Sequence, residues 1–224
     1  MSSINITNED NMQLMARYED NHFDLAIVDP PYGVGQKYNF RYEKEEKNLY
    51  KNIKPKPEYY KELFRVSKNQ IIWGGNYFTD DLYANRGWIC WDKKQPLEGT
   101  HFSHFELAWT SFDKVAKMVV CANAGFNHGD KRVFKESTIH PTQKPIVLYQ
   151  WILNNYAKEG NKILDTHLGS GSIAIACHNL DYDLTACELD TDYYNAAIKR
   201  LKQHQSQLTI FNTNTDPDET KKTA

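Results

Sequence analysis

The sequence is poor in the features that mark secreted, membrane-bound or metal-binding chains. Four cysteines stand among 224 residues, at positions 90, 121, 177 and 187. They form no Cys-x-x-Cys pair and no zinc-like Cys/His spacing, which argues against a disulfide framework and a structural zinc site. Free thiols in a reducing compartment are expected instead. His101 and His104 flank Phe102 without a third ligand at sensible spacing, so no metal is expected there either. No run approaches the roughly 18 apolar residues of a membrane span. The N-terminus is polar and acidic, without the apolar stretch of a secretory signal. These absences predict a soluble, cytoplasmic protein with no membrane partner.

An excess of one charge is also missing. Lys and Arg total 27 against 29 Asp and Glu, for a formal charge of −2. That balance does not by itself suggest a nucleic-acid binder, but its distribution is uneven. Residues 37–68 hold ten basic residues against five acidic ones, and residues 113–144 hold six against three. The rest of the chain therefore carries −10. Two basic segments on an acidic body can present a local face to a polyanion, although each alone reads equally well as a solvated loop.

Apolar periodicity gives the layout. Thr7 or Asn8 is placed to cap a short helix, with Met12, Met15 and Tyr18 along one side. Residues 24–28 read as a buried strand, and residues 33–54 as a polar Lys/Glu/Tyr-rich segment. Pro57 opens a helix to about residue 67, followed by strands in "NQIIWGG", "GWICW" and "FELAWTSF". The pattern is irregular from 113 to 143. Pro145 sits at the first position of a helix whose face is Leu148, Trp151, Ile152 and Tyr156. Strand "KILDTHL", helix "GSGSIAIACHNL", strand "DLTACEL" and a helix marked by Tyr194, Ala197, Ile198 and Leu201 follow in tight order. Beyond about 205 the chain is polar and tail-like. Strands alternating with helices predict an α/β architecture with a mostly parallel sheet.

Two stretches carry chemistry. "DLAIVDPPYG" (24–33) leaves a buried strand directly into Asp29-Pro30-Pro31-Tyr32. Two prolines remove two backbone donors and stiffen the chain, so the acid and the aromatic are held rigidly. An ordinary Pro-rich turn has the same composition. The second stretch, Gly169-x-Gly171-x-x-Ala174, lies where a strand hands over to a helix, so the backbone can turn tightly and approach a ligand. Glu188 ends the next strand, 19 residues after Gly169, where an acid can accept ribose hydroxyls.

A dinucleotide would put its pyrophosphate at the helix N-terminus. Here Asp165, Glu188 and Asp190 form an acidic rim, which repels pyrophosphate and suits a ligand with an ammonium and a sulfonium. S-adenosyl-L-methionine is such a ligand. A nicotinamide-dependent dehydrogenase is the weaker alternative, since only 53 residues follow Gly171.

"DPPY", "HPTQKP" (140–145) and "DTHLGSGS" (165–172), in that order, resemble the amino-methyltransferases of DNA in the permuted, beta-like class whose catalytic motif precedes the cofactor motif. The resemblance spans roughly residues 5 to 202. It implies a Rossmann-like S-adenosylmethionine-dependent methyltransferase fold, with a seven-stranded, mostly parallel sheet and helices on both faces. It also implies one domain over residues 1–204, with a short recognition insert near 113–139 and a flexible tail over 205–224. The catalytic set is then Asp29, Pro30, Pro31 and Tyr32: carboxylate and carbonyl accept the N–H groups of the target amine, while the ring stacks on a flipped base. The cofactor set is Asp165, Thr166, His167, Gly169, Ser170, Gly171, Glu188 and Asp190, with His140, Thr142 and Lys144 at the methionine end. Thr166-His167 departs from the family's more frequent Pro-Phe.

The acid opening the catalytic turn resembles the N6-adenine enzymes, whereas N4-cytosine enzymes more often carry serine there. None of the four cysteines follows a proline, which argues against methylation at carbon. N4-cytosine transfer, or a non-catalytic DNA-binding subunit on the same fold, are the alternatives. Double-stranded DNA is the expected partner, with self-association into a homodimer. Asn76, Tyr77, Asp92 and Lys93 are candidates for the pocket rim, and Trp73, Trp88 and Trp91 for the core.

Overall fold

The computed structural model describes residues 2–33, 53–94, 103–122, 138–140 and 142–213. Short apolar runs become strands that are buried on both sides: β2 (Leu25–Val28) and β3 (Gln70–Trp73) have every residue buried. Continuous burial of this kind is expected of parallel strands covered by helices on both faces. Successive side chains on a strand point to opposite faces, and two cores result. Leu25, Ile27, Ile71 and Trp73 enter one core with helices α3 (Ile146–Tyr156) and α4 (Ser172–Asn179). Ala26, Val28 and Ile72 enter the other with α1 (Asn11–Met15) and α2 (Pro57–Val66).

The remaining strands are β1 (Ile4–Asn8), β4 (Trp88–Asp92), β5 (Phe105–Thr110), β6 (Lys117–Val120), β7 (Lys162–Asp165) and β8 (Asp183–Glu188). One sheet orders them β1-β8-β7-β2-β3-β5-β4-β6. Among the described residues, only β5 runs against the rest. From β2 the chain proceeds to β3 on one side, and from β7 to β8 on the other. The order therefore reverses between β2 and β7, where doubly wound sheets bind ligands at their strand ends.

Among the described residues the sheet has eight strands rather than seven, and both edge strands come from segments whose pattern did not read as strand. β1 is the stretch expected to lead into a helix cap; Ile4 and Ile6 pack on the core while it pairs in parallel with β8. The cap falls on Asp10, whose carboxylate accepts from the N–H of Met12 at 2.9 Å. β6 lies in the irregular stretch, with only Val119 fully inward. A half-buried edge strand of four or five residues carries too little periodicity to read. Pro145 caps α3 rather than occupying its first turn. Helix α5 spans Thr191–Thr213, well past the change to polar residues at 205. The basic stretch 37–52 and most of 113–139 lie outside the described residues.

Among the described residues, no helix is long and apolar enough to cross a membrane, and no group of His, Cys, Asp and Glu could hold a metal ion. Trp73 and Trp91 are core residues, and Trp88 packs at the core margin.

Candidate active site

The strand ends beside the reversal open into a cavity of about 840 Å³. Its walls come from the C-terminal ends of β1, β2, β7 and β8 and from the segments that lead into α2 and α3. Asp29 and Pro31 stand at the end of β2; Thr166, His167, Gly169 and Ser170 follow β7; Glu188 and Asp190 end β8; His140, Thr142 and Lys144 precede α3. Three motifs far apart in sequence thus share one space. Asp165, Gly171 and Tyr32 do not line it, and Pro30 is buried in the turn. Pro141 lies outside the described residues.

At the glycine loop, the Glu188 carboxylate accepts from the backbone N–H of Gly169 at 2.8 Å and of Asp190 at 3.0 Å. Both oxygens keep further lone pairs for ligand hydroxyls. Burial raises the Glu188 carboxyl above the usual range, and the two backbone N–H groups pull it back. Asp165, behind the wall, accepts the N–H of His167 at 3.0 Å. Burial pushes its carboxyl up to about 8, an effect that N–H opposes.

That shift has a consequence for stability. In the unfolded chain Asp165 ionises near 3.8, whereas the folded protein holds its proton to about 8. The folded state binds the extra proton between those values, so this contribution is lost as pH rises through that window. Asp165→Asn keeps the acceptor for His167 and removes the titration. Thermal melts of the cofactor-free protein should show the variant gaining on wild type from pH 5 to pH 8, by about 2–4 °C for each kcal/mol relieved. A constant difference across that range would show that Asp165 is ionised in the folded state.

His167 occupies its departure from the family pattern as a polar fixture. Asn11 Nδ2 lies 3.1 Å from its Nε2, and Thr166 Oγ1 lies 2.9 Å from its Nδ1. With the Asn11 amide donating, the imidazole carries its proton on Nδ1. Burial lowers its pKa to about 3, so the ring is neutral. Tyr59 adds an edge-on ring at 5.3 Å and a 2.7 Å hydroxyl contact to Thr166. His140 is likewise held neutral, at about 4, by burial and by Lys144. Its Nδ1 accepts from the Thr142 N–H at 3.3 Å, and its ring meets Tyr193 edge-on at 4.4 Å.

Lys144 lines the cavity with His140 and Thr142 and also carries an ion-pair network. Its Nζ pairs with Asp29 Oδ2 and lies 3.1 Å from Glu106 Oε2. The hydroxyl of Tyr32 donates to Asp29 Oδ1 at 2.8 Å, and its ring stacks on Tyr77 at 5.0 Å. Burial raises the Asp29 carboxyl, Lys144 lowers it and Glu106 raises it, leaving it above the usual carboxylate range. Two of the roughly four acceptor positions of this carboxylate are taken, and two are free for a ligand. None of Asn76, Tyr77, Asp92 and Lys93 lines the cavity, but Tyr77 supports Tyr32, and Lys93 pairs with Glu106 at 2.5 Å. Sequence reasoning missed Glu106, Asn11, Tyr59 and Tyr193. Only Glu106, an acid in the apolar run "FELAWT", left a signal.

A doubly wound sheet with one reversed strand and a glycine loop beside an acid at the strand end defines a Rossmann-like methyltransferase fold. The chain belongs to the N6_N4_Mtase family, described as DNA methylase, which it matches over residues 38–199. It is 26% identical over 227 residues to the Type II methyltransferase M.HpaI of Haemophilus parainfluenzae, covering 85% of this chain and 71% of that protein. The structure of the M1.HpyAVI–SAM complex aligns with a TM-score of 0.58 and 21% identity, covering 88% of this chain and 100% of that one. PvuII DNA methyltransferase, cytosine-N4-specific, aligns with a TM-score of 0.61 and 12% identity, covering 95% and 92%. These two structural likenesses bear on the fold.

S-adenosyl-L-methionine is the cofactor of this family, and the cavity fits it. Glu188 turns a carboxylate with free acceptor positions toward the cavity, Asp190 and Asp10 add negative charge suited to a cation, and the wall at Gly169 carries no side chain.

Proposed function

We propose that the protein transfers a methyl group to the exocyclic N6 amine of adenine in double-stranded DNA, in the cytoplasm, by direct in-line transfer to a flipped base. The observation that carries this reading is the shared cavity: the rigid Asp29 turn and the Glu188-bound glycine loop open into one space at adjacent strand ends. S-adenosylmethionine supplies an activated methyl group on a sulfonium. The residues of this chain do the rest. Glu188 and Gly169 hold the ribose end, with His140 and Thr142 near the methionine end.

The exocyclic amine is a poor nucleophile because its lone pair is delocalised into the base. Asp29 and the carbonyl of Pro30 accept its two N–H groups, favouring a pyramidal nitrogen as positive charge develops. Asp29 also offers the acceptor for the proton that the amine gives up. Tyr32, which stands beside the cavity rather than in its lining and is backed by Tyr77, supplies aromatic surface at the edge for the unstacked base, and the cavity sets the close approach that transfer needs.

Adenine is preferred because an aspartate opens the catalytic turn. Incubation of purified protein with DNA and S-adenosylmethionine, followed by nucleoside mass spectrometry, tests this. N6-methyladenine is the expected product. N4-methylcytosine alone would reverse the choice of base, and no methylated nucleoside would favour a non-catalytic DNA-binding subunit. Lys114 and Lys117 belong to the basic stretch near 113–139, which is strong in charge and short for a groove-reading surface. A short or relaxed target site follows, with steeply salt-dependent binding and a homodimer supplying further surface. Genome-wide methylation mapping should find no strict target of six or more base pairs made by monomeric protein.

A further inference from the structure

Behind the Asp29 turn, four charged side chains alternate in sign: Asp29, Lys144, Glu106 and Lys93. Lys144 is only 2% exposed and bridges the two carboxylates. It also lies 5.0 Å from the centre of the Trp73 ring. Glu106 comes from β5, opposite Trp91 of β4, and its second oxygen binds Lys93 at 2.5 Å. Its Oε2 is buried, and its contact with Lys144 is ionic without hydrogen-bond alignment. The methyl-transfer step described above has no use for Glu106.

We propose that Glu106 is a positioning residue for methyl transfer: it holds Lys144 against Asp29 and sets a negative charge against that ammonium, behind the carboxylate that receives the target amine. This rests on the reading of Asp29 as the amine acceptor. A carboxylate withdrawn from water needs a cation nearby to stay ionised, and Lys144 provides it. That ammonium alone would oppose the positive charge that builds on the amine during transfer. The four charges sum to zero, but Lys93 sits on the other oxygen of Glu106, and it is Lys144 and Glu106 that act on Asp29, in opposite senses. Glu106 therefore offsets the ammonium at that carboxylate, in the direction that favours a positive charge there. Lys93 binds the other oxygen of Glu106 and keeps that carboxylate ionised: burial works against its charge, but Lys144 and Lys93 outweigh it.

The titratable groups whose charges bear on Asp29 are Tyr32 from its own turn, Lys144, Glu106 from β5, Tyr149 from α3 and Asp165 at the end of β7. Among these, Lys144 and Glu106 act on Asp29 in opposite directions. Their removal should therefore displace the pH profile in opposite directions, which loosened packing cannot do.

The test is single-turnover methyl transfer across pH, with DNA and cofactor saturating, for wild type, Glu106→Gln and Lys144→Gln. Glu106→Gln should lower the plateau rate about tenfold at unchanged cofactor affinity, because the field at the amine is less negative. Its acidic limb should move to lower pH, since Lys144 then acts on Asp29 unopposed. Lys144→Gln should move the limb to higher pH. If Glu106→Gln does not fold, Glu106→Asp takes its place; it withdraws the charge by one methylene and should shift plateau and limb the same way by less.

A wild-type plateau, or a limb that stays in place, overturns the inference. Asp29→Asn assayed alongside separates the two levels. A dead Asp29→Asn with an unaffected Glu106 variant sinks only the role of Glu106. A fully active Asp29→Asn, or an inert wild type, sinks the functional reading and this inference with it.

Discussion

Asp29→Asn is expected to lower methyl transfer by about 10²–10³-fold, the loss typical of removing one preorganised group at the charge-developing atom. Cofactor affinity should stay close to wild type, because the Glu188 and glycine-loop contacts are made by other residues. The amide has nearly the carboxylate's size and keeps one oxygen acceptor for Tyr32 or Lys144. It lacks the negative charge, and its NH₂ points donors where the amine needs acceptors.

The structure makes asparagine a cleaner probe than alanine. Lys144 is 2% exposed and paired with Asp29 and Glu106. Truncating one partner of a buried ion pair costs about 3–5 kcal/mol when nothing else compensates. Glu106 shares that burden, but Asp29→Ala would still mix a folding defect with a catalytic one. Single-turnover rates with saturating cofactor, paired with calorimetric titration, separate the two. Wild-type turnover in the asparagine variant would remove Asp29 from the chemistry.

Gly169→Val should lose cofactor affinity by at least about 100-fold, equivalent to some 2.7 kcal/mol, with the fold retained. Gly169 has φ +53° and faces the cavity, with its N–H bound to Glu188. A Cβ built there would meet nothing closer than the His140 ring at 3.8 Å. The protein has room for the side chain there, in the space proposed for the cofactor. Left-handed backbone costs an L-residue about 1–2 kcal/mol, and a β-branched one more, so the loop should also shift off Glu188.

Gly171 behaves differently. It has φ +71° at the N-cap of α4, and its Cβ would stand 3.1 Å from that of Ala197 in α5. Gly171→Val should therefore lose thermal stability together with binding. Calorimetry and melting curves on both variants check the contrast. Tight binding by Gly169→Val would mean that the cofactor does not approach this loop.

Much of the architecture was legible in the chain. "LAIV" and "QIIW" are short apolar runs closed by proline or glycine, and they became the central strands. The Asp-Pro-Pro-Tyr turn and the Gly-x-Gly loop carried their strand-end positions locally, because stiff prolines and left-handed glycines act within a few residues. The edge strands β1 and β6 were hidden, since five and four residues with one half-buried face leave little pattern. The cap at Asp10 was displaced from Thr7 and Asn8 for the same reason: pairing with β8 took those residues into the sheet.

The sequence by itself determined that an acid sits on a rigid turn, that a glycine loop meets an acid at a strand end, and that both belong to one alternating α/β chain. Tertiary structure alone decided what each charge faces. Lys144 stands two residues beyond Thr142, whose hydroxyl and N–H meet His140, yet its ammonium pairs with Asp29, 115 positions earlier, and with Glu106 on the reversed strand. Neighbouring residues need not share a partner, because a buried ammonium must find carboxylates wherever the sheet delivers them. Local spacing records backbone geometry. Charge pairing across β2, β5 and the segment before α3 exists only once those elements have packed.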